Sequence, residues 1–173
     1  QAEDEIAAIC SAIGTSFTGS LAITTTSGPG FGLKGEALGL AIMTELPLVV
    51  VDVQRGGPST GLPTKTEQSD LMQALYGRNG ESPAIVLACS TPANCFDWAY
   101  IASKITLEHN TPVILLSDGY LGNGAEPWKI KSTREMPEIQ AKITNKNEDY
   151  QPYARDNKTL VRKLALPGTK GQE

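Results

Sequence analysis

Paired cysteines are missing from this chain. Cys10, Cys89 and Cys95 stand apart with no CxxC spacing, which argues against a zinc site or an iron–sulfur cluster held by this chain by itself. With apolar neighbours they read as buried, reduced thiols of a cytoplasmic protein. Histidine occurs once, at His109, where a predicted helix ends, and there it suits the helix dipole better than catalysis. No apolar run reaches the roughly 18 residues that a membrane span needs, and no signal peptide is visible. Basic residues are not clustered before position 128, and the net charge is -4. Nucleic acid is therefore not an expected partner. No internal repeat and no hairpin signal occur. The chain opens on Gln1 rather than Met and closes on PGTKGQE, and it is expected to be a piece of a longer polypeptide.

What is present is alternation. Its 173 residues suffice for one domain with a full core. EIAAICSAIGTSF, residues 5–17, places Ile6, Ile9, Cys10 and Ile13 at helical spacing, with Asp4 as cap. SLAITTT, 20–26, is β-branched and reads as a buried strand. A helix is expected over 34–45, ended by Pro47. LVVVDV, 48–53, is a continuous apolar run with one acid inside, as in a parallel sheet covered on both faces. The next ten residues, RGGPSTGLPT, hold three glycines and two prolines and must be loop. A short helix over 68–76, a strand over 84–89, a helix over about 94–109 and a strand over 112–118 follow. Strands alternating with helices imply an α/β fold of three layers, a mostly parallel sheet with helices on both faces. Ligands of such sheets bind beyond the carboxyl ends of the strands, and those ends read TSGPG, QRGGPSTG, CSTP and SDGYLG. Residues 1–125 form this unit. Residues 126–173 are polar and proline-punctuated, an arm or linker toward a further domain.

The glycines of TTTSGPGFGLKGEALGL, residues 24–40, admit three readings. A P-loop fails, because Lys34 follows Leu33 and precedes Gly35 rather than Ser or Thr. Gly30, Gly32 and Gly35 do match GxGxxG, with Asp52 one unit further on as a ribose-binding acid. Pro29 and Phe31 crowd that turn, however, and Asp52 can equally sit inside its strand. The third reading uses more of the chain. EDEIAAICSAIG, then TTTSGPGF, then PLVVVDVQRGGPSTGLPTKTEQSDLMQALYGRNGE, resembles the pyrimidine-binding domain of thiamine diphosphate enzymes. The likeness is to the α subunit of 2-oxoacid:ferredoxin oxidoreductases of the 2-oxoglutarate type. It covers residues 3–125, with weaker similarity along the arm. GLKGE after TSGPGF departs from the usual family pattern and leaves that helix start open.

The resemblance implies a chemistry. Thiamine becomes reactive when its aminopyrimidine shifts tautomer under a carboxyl group, and the protein supplies orientation and electrostatics. Glu5 is the implied carboxyl, set before apolar residues that suit a half-buried position. A plain helix-start acid is the alternative, and Glu3 is its neighbour in the same role. Thr26, Ser27, Gly28 and Pro29 are implied to line the pyrimidine, the glycine allowing close approach. Arg55 ends a strand, where a guanidinium can grip a substrate carboxylate through two bonds; an exposed loop arginine is the alternative. Ser59, Thr60 and Lys65 are candidates for a second carboxylate. Glu36 and Asp118 read as structural, and no metal site is assigned. The likeness further implies thiamine diphosphate shared with a β subunit, Mg²⁺ and an iron–sulfur cluster on other domains or subunits, and an oligomer. The whole enzyme would take a 2-oxoacid and CoA, with ferredoxin as electron acceptor. A scaffold of the same fold without chemistry, or a dinucleotide-binding domain, are the rival expectations.

Overall fold

The computed structural model describes residues 1–145 and 149–172. In chain order the elements are α1 (Glu5–Phe17), β1 (Ile23–Thr26), α2 (Gly28–Leu33), α3 (Gly35–Met43), β2 (Leu48–Gln54), α4 (Leu71–Tyr76), β3 (Ile85–Ala88), α5 (Pro92–His109), β4 (Pro112–Asp118) and α6 (Gly119–Asn123). The strands form one parallel sheet in the order β1-β2-β4-β3. One face packs Leu48, Val50, Ile114 and Leu116 against Ile9, Phe31 and Leu38 of α1, α2 and α3. The other packs Val49 and Val113 against Ala102 of α5. Near-continuous burial along β2 and β4 follows from cover on both faces. The expected three-layer α/β arrangement is what the chain adopts.

Three local expectations need correcting. The helix expected over 34–45 forms as α3, but inside the glycine run, where no helix was expected, a further one forms, α2. Ser27 stands at its N-cap and Pro29 in its first turn, where proline's fixed φ suits a helix; packing against the core then overrides glycine's poor propensity. The helix expected from residue 68 starts at Leu71, with Asp70 as N-cap. Cys10 is exposed rather than buried, because α1 turns Ile9, Ala12 and Ser16 inward; Ile6 is half exposed for the same reason. Asp4 caps α1 as expected, its Oδ1 accepting from the Ala7 amide at 2.7 Å, a contact of about 1 kcal/mol.

Residues 126–145 and 149–172 run against the body. Lys131 pairs with Asp97 at 2.5 Å near the start of α5. The Tyr100 hydroxyl donates to the Pro137 carbonyl at 2.6 Å, and the Lys142 amide to the Leu107 carbonyl at 3.1 Å. Asn110, left-handed at φ 49°, closes α5 and donates to the Arg162 carbonyl at 2.8 Å. Arg155 and Arg162 then both grip Glu45, each at 2.5 Å, and Val161 and Leu164 are buried. Residues 146–148 and 173, part of the expected arm, lie outside the described residues.

Candidate functional site

The carboxyl ends of β1 and β2 lie side by side, Thr26 in register with Asp52. Glu5, the first residue of α1, reaches into this corner. A Cβ added to Gly30 would stand 2.1 Å from Thr26 Oγ1, 2.6 Å from Glu5 Cγ and 2.9 Å from Glu5 Oε1. Glycine at position 30 is therefore dictated by proximity: the Glu5 carboxylate and the Thr26 hydroxyl occupy the volume that any side chain would need. Glu5 is half-buried, whereas Glu3 is exposed. Gly28 repeats the device, since its Cβ would fall 2.5 Å from Asp70 Oδ2 and 2.7 Å from Oδ1.

Behind Glu5 lies a residue that sequence reasoning passed over. Lys34, at the α2–α3 junction, is the largest fully buried side chain among the described residues. Its ammonium donates to Thr24 Oγ1 at 2.5 Å. Burial pushes it below the ordinary lysine value, and the charge of Glu5 pushes back. A signal was present: residues 6–33 carry no charge, so Lys34 is an isolated cation in an apolar stretch.

The loop after β2 forms the far wall. Arg55 is half-buried, and its Nη1 donates to the carbonyls of Gly56 (2.9 Å), Thr60 (3.0 Å) and Ser59 (3.1 Å). One nitrogen thus organises the loop. Nε and Nη2 make no hydrogen bond to other described residues. Thr60 is exposed and contributes its carbonyl to this contact; Lys65 is exposed as well. Glu67 accepts from the Gly57 amide at 3.0 Å. Between loop and turn opens a cavity of about 420 Å³ lined by Gly28, Pro29, Gly32, Arg55, Ser59 and Asp70, among others. Of the expected residues, Gly28, Pro29 and Arg55 line this cavity, whereas Thr26, Ser27 and Glu5 do not. The acid expected for ribose, Asp52, is wholly buried within β2, and Gly30 and Gly32 lie within α2 rather than in an open turn. This overturns the dinucleotide reading. Gln68 Nε2 donates to Asp118 Oδ2 at 2.8 Å, while Asp118 Oδ1 caps α6 through the amides of Tyr120 and Leu121. His109 is exposed in the last turn of α5. Cys89 is pushed up to about 12 by burial and by the neighbouring Cys95 thiol. Among the described residues no three His, Cys, Asp or Glu side chains gather as a metal cage, and no helix is long and apolar enough to cross a membrane.

Comparison with known proteins gives the family. The family described as "Pyruvate flavodoxin/ferredoxin oxidoreductase, thiamine diP-bdg" matches residues 1–173. The chain is 61% identical over 173 residues to the 2-oxoglutarate oxidoreductase subunit KorA of Mycobacterium tuberculosis, covering all of this chain and 26% of that one. It is 45% identical over 148 residues to the 2-oxoglutarate synthase subunit KorA of Archaeoglobus fulgidus, covering 84% of this chain and 42% of that one. Among solved structures it is similar to the 2-oxoglutarate:ferredoxin oxidoreductase of Magnetococcus marinus with 2-oxoglutarate, coenzyme A and succinyl-CoA bound. That match has a TM-score of 0.89 at 41% identity, over 100% of this chain and 30% of that chain. The chain thus spans between about a quarter and two fifths of the length of these relatives.

Proposed function

This chain belongs to the pyruvate flavodoxin/ferredoxin oxidoreductase family of thiamine diphosphate-binding domains, and on that premise we propose that it is the pyrimidine-binding domain of a 2-oxoacid:ferredoxin oxidoreductase α subunit acting on 2-oxoglutarate. The observation that carries the reading is the convergence of Glu5 and Thr26 on the bare face of Gly30. It supplies a carboxyl and a backbone surface within one corner, which fits an aminopyrimidine. Thiamine diphosphate, when bound, supplies the carbanion that attacks the ketone of the substrate.

The residues of this chain have distinct tasks. Glu5 holds and exchanges a proton with the pyrimidine ring, and Lys34 places a buried positive charge behind it. Thr26, Ser27, Gly28 and Pro29 present backbone to the ring. Arg55 offers Nε and Nη2 to a substrate carboxylate while Nη1 holds the loop, and a two-pronged guanidinium suits that geometry. Thr60 and Ser59 shape the rim for a second carboxylate. Residues 1–125 carry this half-site, and 126–173 lead on toward a further domain. The diphosphate, Mg²⁺ and an iron–sulfur cluster belong to other domains or to a β subunit, in a cytoplasmic oligomer. The whole enzyme releases CO₂, passes two electrons to ferredoxin and transfers the acyl group to CoA.

The test uses the full-length subunit assembled with its β partner. CoA-dependent electron transfer from 2-oxoglutarate to an artificial acceptor is compared between wild type and Glu5→Gln. Loss of a proton-exchanging carboxyl is expected to lower kcat by about 10²–10⁴-fold, with cofactor binding and assembly retained. Undiminished turnover would remove Glu5 from the role and point to Glu3. A folded, cofactor-loaded complex that turns over no 2-oxoacid would leave a scaffold. The chain by itself is expected to be inactive, because it holds half of the site.

A further inference from the structure

Near the start of α2 lie two carboxyl groups that the chemistry above does not use: Asp70 against Gly28, and Asp52 in β2. Asp52 points from β2 into the α2 side of the sheet with none of its surface exposed. Neither of its oxygens meets a hydrogen-bond donor, and neither does Asp70 Oδ2. A buried acceptor without a donor is costly, and a buried charge without a partner more so.

The surroundings supply no relief. Gln54, next on the same strand face, has its amide nitrogen on the Ser117 carbonyl and its oxygen on the Asp70 amide, at 3.1 and 3.0 Å. From α1, Glu5 faces Gly30. Lys34 spends its ammonium on Thr24. From β4, Asp118 is held by Gln68 and the start of α6. Across the cavity, Glu67 takes the Gly57 amide and Arg55 the loop carbonyls. Glu36 and Lys65 are exposed, and α4 has no charged residue. Among the described residues no third metal-ligating side chain joins the two carboxyls, and a shared proton is the occupant that their unpartnered oxygens fit.

We propose that Asp52 and Asp70 share one proton, and that this proton removes one negative charge from behind the pocket wall where a dianionic 2-oxoacid enters beside Arg55. The inference rests on the substrate class proposed above. Asp70 is the link, since it lines the cavity together with Arg55 and Glu67 while its Oδ2 turns inward. An anion arriving there meets Arg55 on one side and carboxylates on the other, so each removed negative charge favours entry. Burial first, then the charge of Asp70 and the hydrogen bond that a protonated Asp52 makes to it, push Asp52 up to about 8. The pair is therefore loaded at neutral pH and unloads in mildly alkaline solution.

The sign of the linkage is fixed. The folded state retains a proton that the unfolded chain releases near the ordinary carboxylate value. The contribution to stability is thus complete below about pH 4, falls as pH rises toward about 8, and is gone above that. Asparagine at position 52 keeps the shape and the hydrogen bond to Asp70 but carries no titrating proton.

Two measurements on the full-length subunit, assembled with its β partner, test the proposal. Thermal melting of wild type and Asp52→Asn is followed from about pH 5 to about pH 9. The melting advantage of Asp52→Asn should widen up to about pH 8 and then level off. Binding of glutarate, a dicarboxylate without the reactive ketone, is measured calorimetrically over the same range. Wild-type Kd should weaken about fivefold or more above pH 8 through like-charge repulsion, and that of Asp52→Asn should stay flat. Asp70→Asn leaves Asp52 buried and titrating but removes the charge beside it, so both curves should persist with their turning point moved to lower pH, and this variant serves if Asp52→Asn fails to fold. A melting difference independent of pH would overturn the shared proton. Melting linkage with parallel glutarate curves would overturn its role at the pocket. Failure of the 2-oxoacid reading shows separately, as absent turnover in preparations whose melting and glutarate curves behave as stated.

Discussion

The loops that leave β1 and β2 are both rich in glycine, yet they use it for opposite reasons. After β1, Gly28 and Gly30 are helical and buried, and a side chain is excluded because Asp70, Glu5 and Thr26 already fill its place. After β2, Gly61 is needed for its backbone angle, φ 41°, in a loop whose side chains are exposed and whose carbonyls gather on Arg55. The first loop is built by packing from outside, the second by hydrogen bonds from within. The first is therefore suited to hold a rigid acid and the second to meet an incoming anion.

Substitutions can break this contrast or sharpen it. The largest effect is expected at Gly30→Ala. A methyl 2.1 Å from Thr26 Oγ1 and 2.6 Å from Glu5 Cγ must displace one of them. Misplacing the acid by about 1 Å should cost on the order of 10²-fold in kcat, measured in the assembled enzyme, for an overpacking penalty of about 1–3 kcal/mol. Gly61→Ala comes next. It strains a left-handed residue whose Cβ would also meet the Gly57 carbonyl carbon at 2.7 Å, so proteolytic nicking of the loop should accelerate. Its effect should appear mainly in KM for 2-oxoglutarate, with kcat less touched. The smallest effect belongs to Gly57→Ala in the same loop, where a Cβ meets nothing within 4 Å. Stability should stay within about 0.5 kcal/mol of wild type. A large loss there would show that the β2 loop is shaped from outside after all.

The sheet and its helices were legible because alternation and apolar runs report burial directly. LVVVDV and PVILLSD are unmistakable as covered strands, and the two lie adjacent as β2 and β4. The α2 helix was not legible. GPGFGL has little helical propensity, and only the core beneath Phe31, 3% exposed, makes it pay. The position of Glu5 could be read from its place ahead of apolar residues, together with the family resemblance. Lys34 and the Asp52–Asp70 pair could not, since sequence shows that a charge is present but not what lies opposite it. Arg55 was legible as a residue at a strand end, while the three carbonyls on its Nη1 are a property of the folded loop.

The bare faces of Gly28 and Gly30 also set a rule for divergence among relatives. Each glycine is one half of a pair whose other half is a specific side chain, so the two positions are not free to drift separately. A chain with alanine at position 28 is expected to carry serine or glycine in place of Asp70, and a chain with alanine at 30 should have surrendered Thr26 or reoriented its acid. Compensated substitution at 28 and 70, with glycine kept at 30 wherever Thr26 and the acid are kept, is the trace that this corner should leave in its lineage.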